Sequence, residues 1–289
     1  MTRRGSTSTR HEDRVRQAWD AIANRFDEYM TPMTVAIGDC LAARLGVVPG
    51  TRFLDMGAGT GGLAIPAARR GAEVVAVDIA PTMIERLRIR GAAEGLANVE
   101  ARVMDGCAAD LPAGSFDVAA SLNGVSLFPD LRRGLGELVR VTQTDGQVMV
   151  AAFGEPQRAE FLGFFSAALQ CTVPGFSGRE MDTPPSLFRL ADPDRLRRVL
   201  TRAGLGEVAV TTIAWPMHFR SGHHMWDVVT ASSPFSTALV ADLTDEQCRE
   251  ARYVLHGMLR DRSGGPGATL NTELNVATGT KRGTLRRHS

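Results

Sequence analysis

The feature that most constrains this chain is an alternation of short apolar runs with helical stretches between residues 52 and 153. Stretches with helical spacing separate the apolar runs and lie at 61–70, 81–94 and 130–141. Because strands that alternate with helices form parallel sheets, the pattern predicts an α/β fold with helices on both faces of a mostly parallel sheet. The predicted strands lie at 52–56, 73–77, 99–103, 116–121 and 147–153.

A different pattern surrounds this alternation. Two predicted helices precede it, at 11–30 and 34–45, and a long connection at 154–190 follows it. The stretch 153–190 holds six of the twelve phenylalanines, too many for a solvated linker, so we expect it to pack as a lid. The remaining predicted elements are helices at 192–203, 224–243 and 245–262 and strands at 207–214 and 270–278, the last two able to pair as an antiparallel edge.

The composition argues against several classes of protein. Lys and Arg total 33 against 32 Asp and Glu, and the net charge of +1 offers no large basic field to a nucleic acid. The four cysteines include no CxxC pair, so neither a disulfide framework nor a metal site is predicted. No apolar run reaches the roughly 20 residues that span a bilayer. We therefore expect a cytoplasmic protein without a membrane or nucleic-acid partner, either a monomer or a homodimer.

The sharpest motif is FLDMGAGTGG at 53–62, between the first predicted strand and a helix. Its glycines let a backbone turn approach a ligand closely, and the helix start offers free N–H groups. The same letters also match GxGxxG, the dinucleotide-binding pattern, so the glycines alone do not choose between cofactors.

Two carboxylates near this turn narrow the choice. Asp78 closes the second predicted strand, 21 residues after Gly57, where a carboxylate can accept both hydroxyls of an adenosine ribose and would repel a 2′-phosphate. Its alternative role is to cap the helix that begins near Pro81. Asp105 follows the third strand and can accept an adenine amino group, with a turn-forming Asp-Gly as its alternative.

The motifs together resemble the class I S-adenosylmethionine-dependent methyltransferases, particularly the small-molecule group that includes the quinone-biosynthesis C-methyltransferases. DMGAGTGG resembles the first family motif, VVAVDIAPTMI the acidic second-strand motif and MDGCAADLPAGSFD the adenine-contacting motif. FDVAASLNGVSLFPD and DGQVMVAAF resemble the fourth and fifth strands. The resemblance covers residues 13–154 and implies a Rossmann-like fold with a seven-stranded, mostly parallel sheet, an antiparallel edge and a helical cap.

The resemblance also implies site residues. The carboxylate of Asp55 and the turn after it would hold the methionine end, Asp78 the ribose and Asp105 the adenine amino group. Because Phe26 stands where many relatives carry a tyrosine, Tyr29 is a substitute source of a hydroxyl. The complete expected cofactor set is Asp55, Gly57, Ala58, Gly59, Gly61, Asp78, Ile79, Met83, Asp105, Gly106, Cys107, Ser121, Leu122, Asn123 and Tyr29.

Candidate bases and substrate contacts lie farther along the chain. His218, His223 and His224 follow a predicted strand in WPMHFRSGHHMW and are candidate catalytic bases, with a polar loop and helix start as the alternative. Glu180 and Asp182 are further candidates, for which a solvated loop is favoured. Aromatic residues of the long connection and the next loop predict an apolar acceptor site, made of Phe161, Phe164, Phe165, Phe176 and Trp215.

The sequence therefore predicts methyl transfer to a small apolar or aromatic metabolite, at carbon or oxygen. A non-catalytic S-adenosylmethionine-binding protein stays open, and an NAD-dependent dehydrogenase is disfavoured because no Tyr-x-x-x-Lys pair is present. Lys281, the only lysine, falls in the last segment, which argues against lysine-dependent catalysis. The predicted organisation is a disordered tail at 1–12, one domain at 13–280 (core 46–154, lid 155–190, cap and edge strands 206–280) and a disordered basic tail at 281–289.

Overall fold

The computed structural model describes residues 5–178 and 187–283. The helices in this part of the chain are α1 (Gly5–Tyr29), α2 (Thr31–Arg44), α3 (Ala64–Arg69), α4 (Pro81–Ala93), α5 (Leu131–Val141), α6 (Glu160–Thr172), α7 (Pro193–Arg202), α8 (Gly222–Ala231), α9 (Pro234–Leu239) and α10 (Asp245–Ser263). The strands are β1 (Arg52–Met56), β2 (Glu73–Asp78), β3 (Val99–Val103), β4 (Phe116–Leu122), β5 (Thr142–Phe153), β6 (Leu205–Ala214), β7 (Met217–Phe219), β8 (Ala268–Leu270) and β9 (Glu273–Lys281).

Seven of these strands form one sheet in the order β3-β2-β1-β4-β5-β9-β6. The pairs from β3 to β5 are parallel, whereas β9 runs antiparallel to both β5 and β6. The predicted fold, a mostly parallel seven-stranded sheet with an antiparallel edge, is confirmed. Since β6 is antiparallel to β9, it runs parallel to β5, and the carboxyl ends of β1 to β6 lie at one edge of the sheet.

Both faces of the sheet are buried, as the near-continuous apolar strands predict. Successive residues of β5 point to opposite faces, so that Met149 and Ala151 join one apolar cluster while Val148 and Val150 join the other. Helices α5 and α7 supply the second cluster, and residues from α2, α3, α4, α6 and α10 supply the first. No helix among the described residues is long and apolar enough to cross a membrane.

The structure differs from the sequence prediction at three places in the C-terminal half. The predicted helix at 224–243 is broken into α8 and α9, because Pro234 lacks an N–H and Ser233 caps the second helix. The predicted strand at 270–278 is two strands: β8 pairs with β7 in a separate sheet, and β9 joins the main sheet. The predicted long connection contains α6.

The two chain ends also differ from the expected tails. Helix α1 begins at Gly5, inside the segment 1–12 that was predicted to be disordered. Strand β9 extends to Lys281, and the Lys281 ammonium donates hydrogen bonds to the carbonyls of Arg140 (3.1 Å) and Thr142 (2.6 Å) at the end of α5. A cation at this position stabilises the carbonyl end of the helix, so Lys281 has a structural role.

Candidate functional site

A single cavity lies along the carboxyl edge of the sheet, where the loops after β1, β2, β3, β4 and β5 meet α1 and α8. Its described lining residues come from α1, α2, α4, α6, α8 and α9, from β1, β2, β4, β5 and β7, and from the loops between them. One part of the lining consists of the glycine turn and three carboxylates, and the other part consists almost entirely of apolar side chains. The cavity therefore joins a polar region at β1 to β4 to an apolar region at β5 and the segments that follow.

The glycine turn after β1 owes its shape to positive φ angles. Gly57 has φ 73° and Gly59 has φ 53°, a region that favours glycine. A Cβ at Gly57 would lie 2.8 Å from the Gly124 Cα, so only glycine allows these two loops to meet. Ala58 also lines the cavity, whereas Gly61 (φ 100°) does not: a Cβ there would meet the Ile65 side chain, 2.9 Å away, inside the protein. Gly61 thus packs inside the protein, and its predicted cofactor contact stays a prediction.

Asp55 is a buried carboxylate at the end of β1, and only 1% of the residue is exposed. Its Oδ2 atom has no hydrogen-bond partner among the described residues, although it lies at the cavity. Burial raises the pKa of Asp55 to about 7, and the nearby Asp78 carboxylate adds to the increase, while the Ala64 N–H opposes it. A buried, unpaired carboxylate oxygen is costly unless a cation or a donor binds it, so Asp55 suits the ammonium group of a ligand.

Asp78 fixes two backbone segments at once. Its Oδ2 accepts the Gly59 N–H (2.9 Å), and its Oδ1 accepts the Ala80 N–H (2.9 Å) at the start of α4. The geometry therefore includes the helix-start role that the sequence left open. The same residue lines the cavity with Ile79 and Met83, and burial raises the pKa of its carboxyl. Each carboxylate oxygen retains a second lone pair for a ligand hydroxyl.

The loop after β3 supplies the third carboxylate. Asp105 lines the cavity and accepts the Cys107 N–H (2.8 Å) through Oδ1, which is the turn geometry expected for Asp-Gly. A Cβ at Gly106 would overlap the Phe128 ring, so glycine is required where the two loops pack. Cys107 does not belong to this cavity lining; it is buried, and burial raises the pKa of its thiol to about 11. Its predicted cofactor contact is limited to the backbone of the loop.

At the end of β4, one residue connects neighbouring strands and the next two line the cavity. The Ser121 hydroxyl donates to the Met56 carbonyl (2.6 Å) and accepts the Val125 N–H (2.9 Å), so it ties β4 to β1 and does not line the cavity. Leu122 and Asn123 do line it. Asn123 has φ 56°, and its buried Oδ1 has no hydrogen-bond partner among the described residues.

Helices α1 and α2 cover the polar region; the position of Phe26 near the cofactor was expected from the sequence, whereas the other lining residues of these helices were not. Trp19, Phe26, Met30 and Thr34 line the cavity. Tyr29, the predicted source of a hydroxyl, does not line it. The stripe of apolar residues in α1 is visible in the sequence, but nothing local shows that the stripe faces a ligand site.

Polar contacts fasten α1 on two sides. On one side, Asp20 accepts the Thr82 N–H at the start of α4 (2.7 Å), and Asn24 accepts from the Arg86 guanidinium (2.7 Å). On the other side, the Arg25 guanidinium donates to the Thr230 hydroxyl of α8 (3.0 Å). It also lies 3.5 Å from an Asp227 carboxylate oxygen. Arg25 therefore joins α1 to α8, two helices that both contribute to the cavity lining.

The apolar region brings together two of the five predicted substrate residues. Phe161 and Trp215 line the cavity with Phe153, whose ring is 5.5 Å from the Trp215 ring, centroid to centroid. Phe164, Phe165 and Phe176 pack into the adjoining core instead, and Phe165 contacts the Trp226 ring at 5.3 Å. The apolar lining residues from β4 onward that the sequence did not predict are Leu127, Phe128, Pro129, Phe153, Leu162, Leu187, Met217, Val228 and Val229.

None of the three candidate histidines is among the described residues that line the cavity. His218 is exposed on β7, with its Nδ1 3.2 Å from the Thr269 hydroxyl. His223 is exposed, and the Nδ1 of His224 accepts the Arg220 N–H (3.2 Å) at the start of α8. Burial lowers the pKa of His224. The structure thus gives these residues the loop and helix-start positions of the alternative, while Glu180 and Asp182 lie outside the described residues.

The polar region fits an adenosyl-methionine ligand. The unpaired Asp55 oxygen matches a ligand ammonium, the turn at Gly57 and Gly59 leaves room for close approach, and Asp78 and Asp105 follow at the ends of the next two strands. Within the described part of the chain, no cluster of three or more His, Cys, Asp or Glu residues has a metal-binding arrangement.

Comparison with known proteins identifies the same half of the chain. A family model described as a methyltransferase domain matches residues 53–146. The chain is 33% identical over 162 residues to a demethylmenaquinone methyltransferase of Thermus thermophilus, covering 53% of this chain and 73% of that protein. It is 34% identical over 137 residues to a nocamycin O-methyltransferase of Saccharothrix syringae, covering 45% of this chain and 48% of that protein.

Among solved structures, the YcgJ protein of Bacillus subtilis has the same fold, with a TM-score of 0.56 at 17% identity. The similarity covers 87% of this chain and 99% of that chain. The chain spans about half the length of several curated relatives that it matches, including 54% of each of three uncharacterised mycobacterial proteins. The extent of the Thermus match, the motifs and the cavity together show that the chain belongs to the class I S-adenosylmethionine-dependent methyltransferases, a family whose cofactor is S-adenosylmethionine.

Proposed function

We propose that the protein transfers a methyl group from S-adenosylmethionine to a small apolar or aromatic metabolite, at carbon or oxygen. The observation that carries the proposal is the continuity of the cavity. The same cavity is lined by Asp55, Asp78 and Asp105 in one region and by Phe161 and Trp215 in the other. A cofactor and an acceptor are thus able to lie side by side.

When bound, the cofactor would supply a methyl group on a positively charged sulfur, which needs no further activation; the acceptor atom would displace neutral S-adenosylhomocysteine, and the acceptor's proton would leave to solvent. The protein's own residues would therefore act by positioning. The Asp55 carboxylate would hold the ligand ammonium, Asp78 the ribose hydroxyls and Asp105 the adenine amino group. The aromatic lining would exclude water and hold the acceptor in line with the reacting bond.

The apolar region favours an uncharged or aromatic acceptor over a sugar or a phosphorylated metabolite. Beyond Gly124, the described lining residues include no charged side chain, and mostly apolar pockets bind mostly apolar molecules. Two relatives, a demethylmenaquinone methyltransferase and an O-methyltransferase, are compatible by name with a small-molecule acceptor and with either carbon or oxygen as the methylated atom.

A non-catalytic S-adenosylmethionine-binding protein is the second candidate. Phenylalanine side chains that filled the region beside the cofactor would favour it. Phe164 and Phe165 instead pack into the core, and the cavity extends past them to Trp215 and Val228. This arrangement supports catalysis.

Two experiments test the proposal. Calorimetry measures binding of the demethylated product, S-adenosylhomocysteine, and of NAD. Incubation with methyl-labelled cofactor and a library of phenols, quinones and enols measures methyl transfer. We expect micromolar binding of S-adenosylhomocysteine, none of NAD and label in at least one acceptor. Binding of NAD alone would refute the proposal. Binding of S-adenosylhomocysteine without transfer to any library member would favour the non-catalytic candidate.

A further inference from the structure

The apolar region of the cavity contains one pair of hydroxyl groups. Beyond Gly124, the described lining residues are apolar or aromatic except for Ser232 and Ser236. Both serines belong to the corner where α8 ends and α9 begins. Because hydroxyls inside an apolar site must find partners or cost free energy, their bonding decides what they offer to a ligand.

The hydrogen bonds of this corner leave capacity for a ligand. The Ser232 hydroxyl donates to the Val229 carbonyl (2.7 Å), which commits its only proton and leaves its lone pairs as acceptors. The Ser236 oxygen lies 3.0 Å from the Ser233 oxygen and 3.4 Å from the Ser232 oxygen. Either oxygen can donate in the shorter contact. With Ser233 as its donor, the Ser236 proton is left with only the long, weak contact to Ser232 and can turn to a ligand oxygen at little cost.

The corner holds these hydroxyls in fixed positions. Ser233 caps α9 by accepting the Ser236 N–H (3.1 Å), and Pro234 sets the first turn. The Thr237 hydroxyl donates to the Thr230 carbonyl (2.7 Å), and the Arg25 guanidinium of α1 donates to the Thr230 hydroxyl (3.0 Å). Capping of α9 needs only the Ser233 hydroxyl, so the helix itself does not require hydroxyls at Ser232 and Ser236.

We propose that Ser232 and Ser236 bind an oxygen atom of the methyl acceptor, with Ser236 donating to a carbonyl and Ser232 accepting from a hydroxyl. The acceptor class is then a largely apolar, ring-containing molecule with an oxygen substituent that the apolar region would otherwise reject. The inference rests on the proposed function, because it takes the apolar region as the acceptor site.

Two probes of matched shape test it: 1-tetralone, which carries a carbonyl, and tetralin, which does not. Their binding is followed by quenching of tryptophan fluorescence, since Trp19 and Trp215 line the cavity, with and without S-adenosylhomocysteine. One hydrogen bond predicts that the wild type binds 1-tetralone about fivefold more tightly than tetralin. Ser236→Ala should reduce that ratio to about one, Ser236→Thr should restore it, and the affinity for tetralin should stay unchanged.

Thr172→Ala is the control, because its hydroxyl bonds only within its own helix (to the Ala168 carbonyl, 2.8 Å), lies outside the corner and does not line the cavity. Retention of the ratio in Thr172→Ala and its loss in Ser236→Ala support the inference. Equal tetralin and 1-tetralone affinities in the wild type overturn it, as does equal loss in both variants. If Ser236→Ala does not fold, Ser232→Ala with a 1-tetralol probe gives the same test. If S-adenosylhomocysteine does not bind the wild type, the proposed function is refuted instead. The ratio of 1-tetralone to tetralin affinity, measured without S-adenosylhomocysteine, still tests the role of the two serines.

Discussion

The two regions of the cavity are built in different ways. The polar region uses backbone turns and carboxylates at or just after the ends of β1, β2 and β3. Its shape depends on glycines such as Gly57, where a side chain would collide with Gly124. The apolar region collects single side chains from α6, β7 and α8 and from the ends of β5 and β6. The first is specified by contiguous sequence, the second by how distant elements pack.

This difference explains which part of the chain the family model matches. The family model matches residues 53–146, which include the polar region and stop before α6, β6 and α8. A class of cofactor can be read from such local motifs, whereas the acceptor depends on packing that the motifs do not describe. Changes in the polar region should therefore alter cofactor affinity, and changes in the apolar region should alter only acceptor choice.

The largest expected effect follows from Gly57→Ala. The new Cβ would lie 2.8 Å from the Gly124 Cα, and the residue would have to keep φ 73°. Both costs distort the turn, so calorimetry should show at least a roughly 30-fold loss of affinity for S-adenosylhomocysteine. Gly46→Ala is the control, because Gly46 has φ 65° but nothing within 4 Å of a Cβ. Similar losses in both variants would contradict a specific role for the turn.

The next effect concerns Asp78→Ala. Removing the carboxylate frees the Gly59 and Ala80 N–H groups and removes up to two charge-assisted bonds to a ribose, each worth roughly 1.5 to 3 kcal/mol. Cofactor affinity should fall more than about tenfold in calorimetry. Glu73→Ala, at the exposed start of the same strand, should leave it unchanged. A folded Asp78→Ala protein with normal affinity would restrict Asp78 to its backbone contacts.

The polar region also shows which features of the fold and the site the sequence predicts and which it does not. Strands β1 and β3 lie where the apolar runs predict them, and the three carboxylates lie where strand ends predict them, because both depend on local pattern. The break between β8 and β9 depends on a distant bond, in which the Trp215 N–H donates to the Thr272 carbonyl (2.7 Å). The position of Thr34 in the lining likewise depends on how α2 packs on the glycine turn. No local pattern contains either fact.

The pH dependence of cofactor binding tests Asp55. Its pKa of about 7 in the free protein means that the carboxyl is largely protonated at pH 6 and ionised at pH 8. A ligand ammonium favours the ionised form, so S-adenosylhomocysteine should bind about tenfold more tightly at pH 8 than at pH 6. Asp55→Asn should bind weakly and with less dependence on pH. An equally steep profile in this variant would assign the titration to another group.

Asp55→Asn, which should weaken cofactor binding, should have the opposite effect on stability. The folded pKa of Asp55 lies above its unfolded value of roughly 4, so the native state binds more protons between pH 4 and 7 and loses stability as the pH rises through that range. Asp55→Asn removes this cost. The free variant should therefore have a higher melting temperature than the wild type at pH 8, and a lower one would contradict the burial argument.

A smaller effect is expected where α1 meets α8. We propose that α1, with residues 155–178 and 187–190 of the predicted lid, covers the acceptor site and opens for exchange of ligands. Arg25→Met removes the contacts to Thr230 and Asp227 while leaving the α4 contacts of Asp20 and Asn24. Hydrogen exchange of α1 should become faster in the free variant, with cofactor affinity nearly unchanged. Arg16→Met, which removes only an exposed ion pair with Asp13, is the control. Equal protection of α1 from hydrogen exchange with and without ligands in the wild type would refute an opening motion.

The smallest and most selective effect separates two neighbouring phenylalanines of α6. Phe161 is 5% exposed and lines the cavity, whereas Phe164 packs against the core outside the described lining. Phe161→Leu keeps an apolar side chain but changes the surface that an acceptor contacts, so it should shift relative rates among methyl acceptors by a few-fold, the range of about 1 kcal/mol for altered apolar contacts. Phe164→Leu should change stability and leave the relative rates as they are. Cofactor affinity should be the same in both variants, since neither residue touches the polar region.

The measurement is label transfer to each acceptor in direct competition, which cancels differences in the amount of folded enzyme. A changed acceptor profile in Phe164→Leu, with an unchanged profile in Phe161→Leu, would mean that the acceptor lies on the other side of α6. The apolar region of the cavity would then not be the acceptor site.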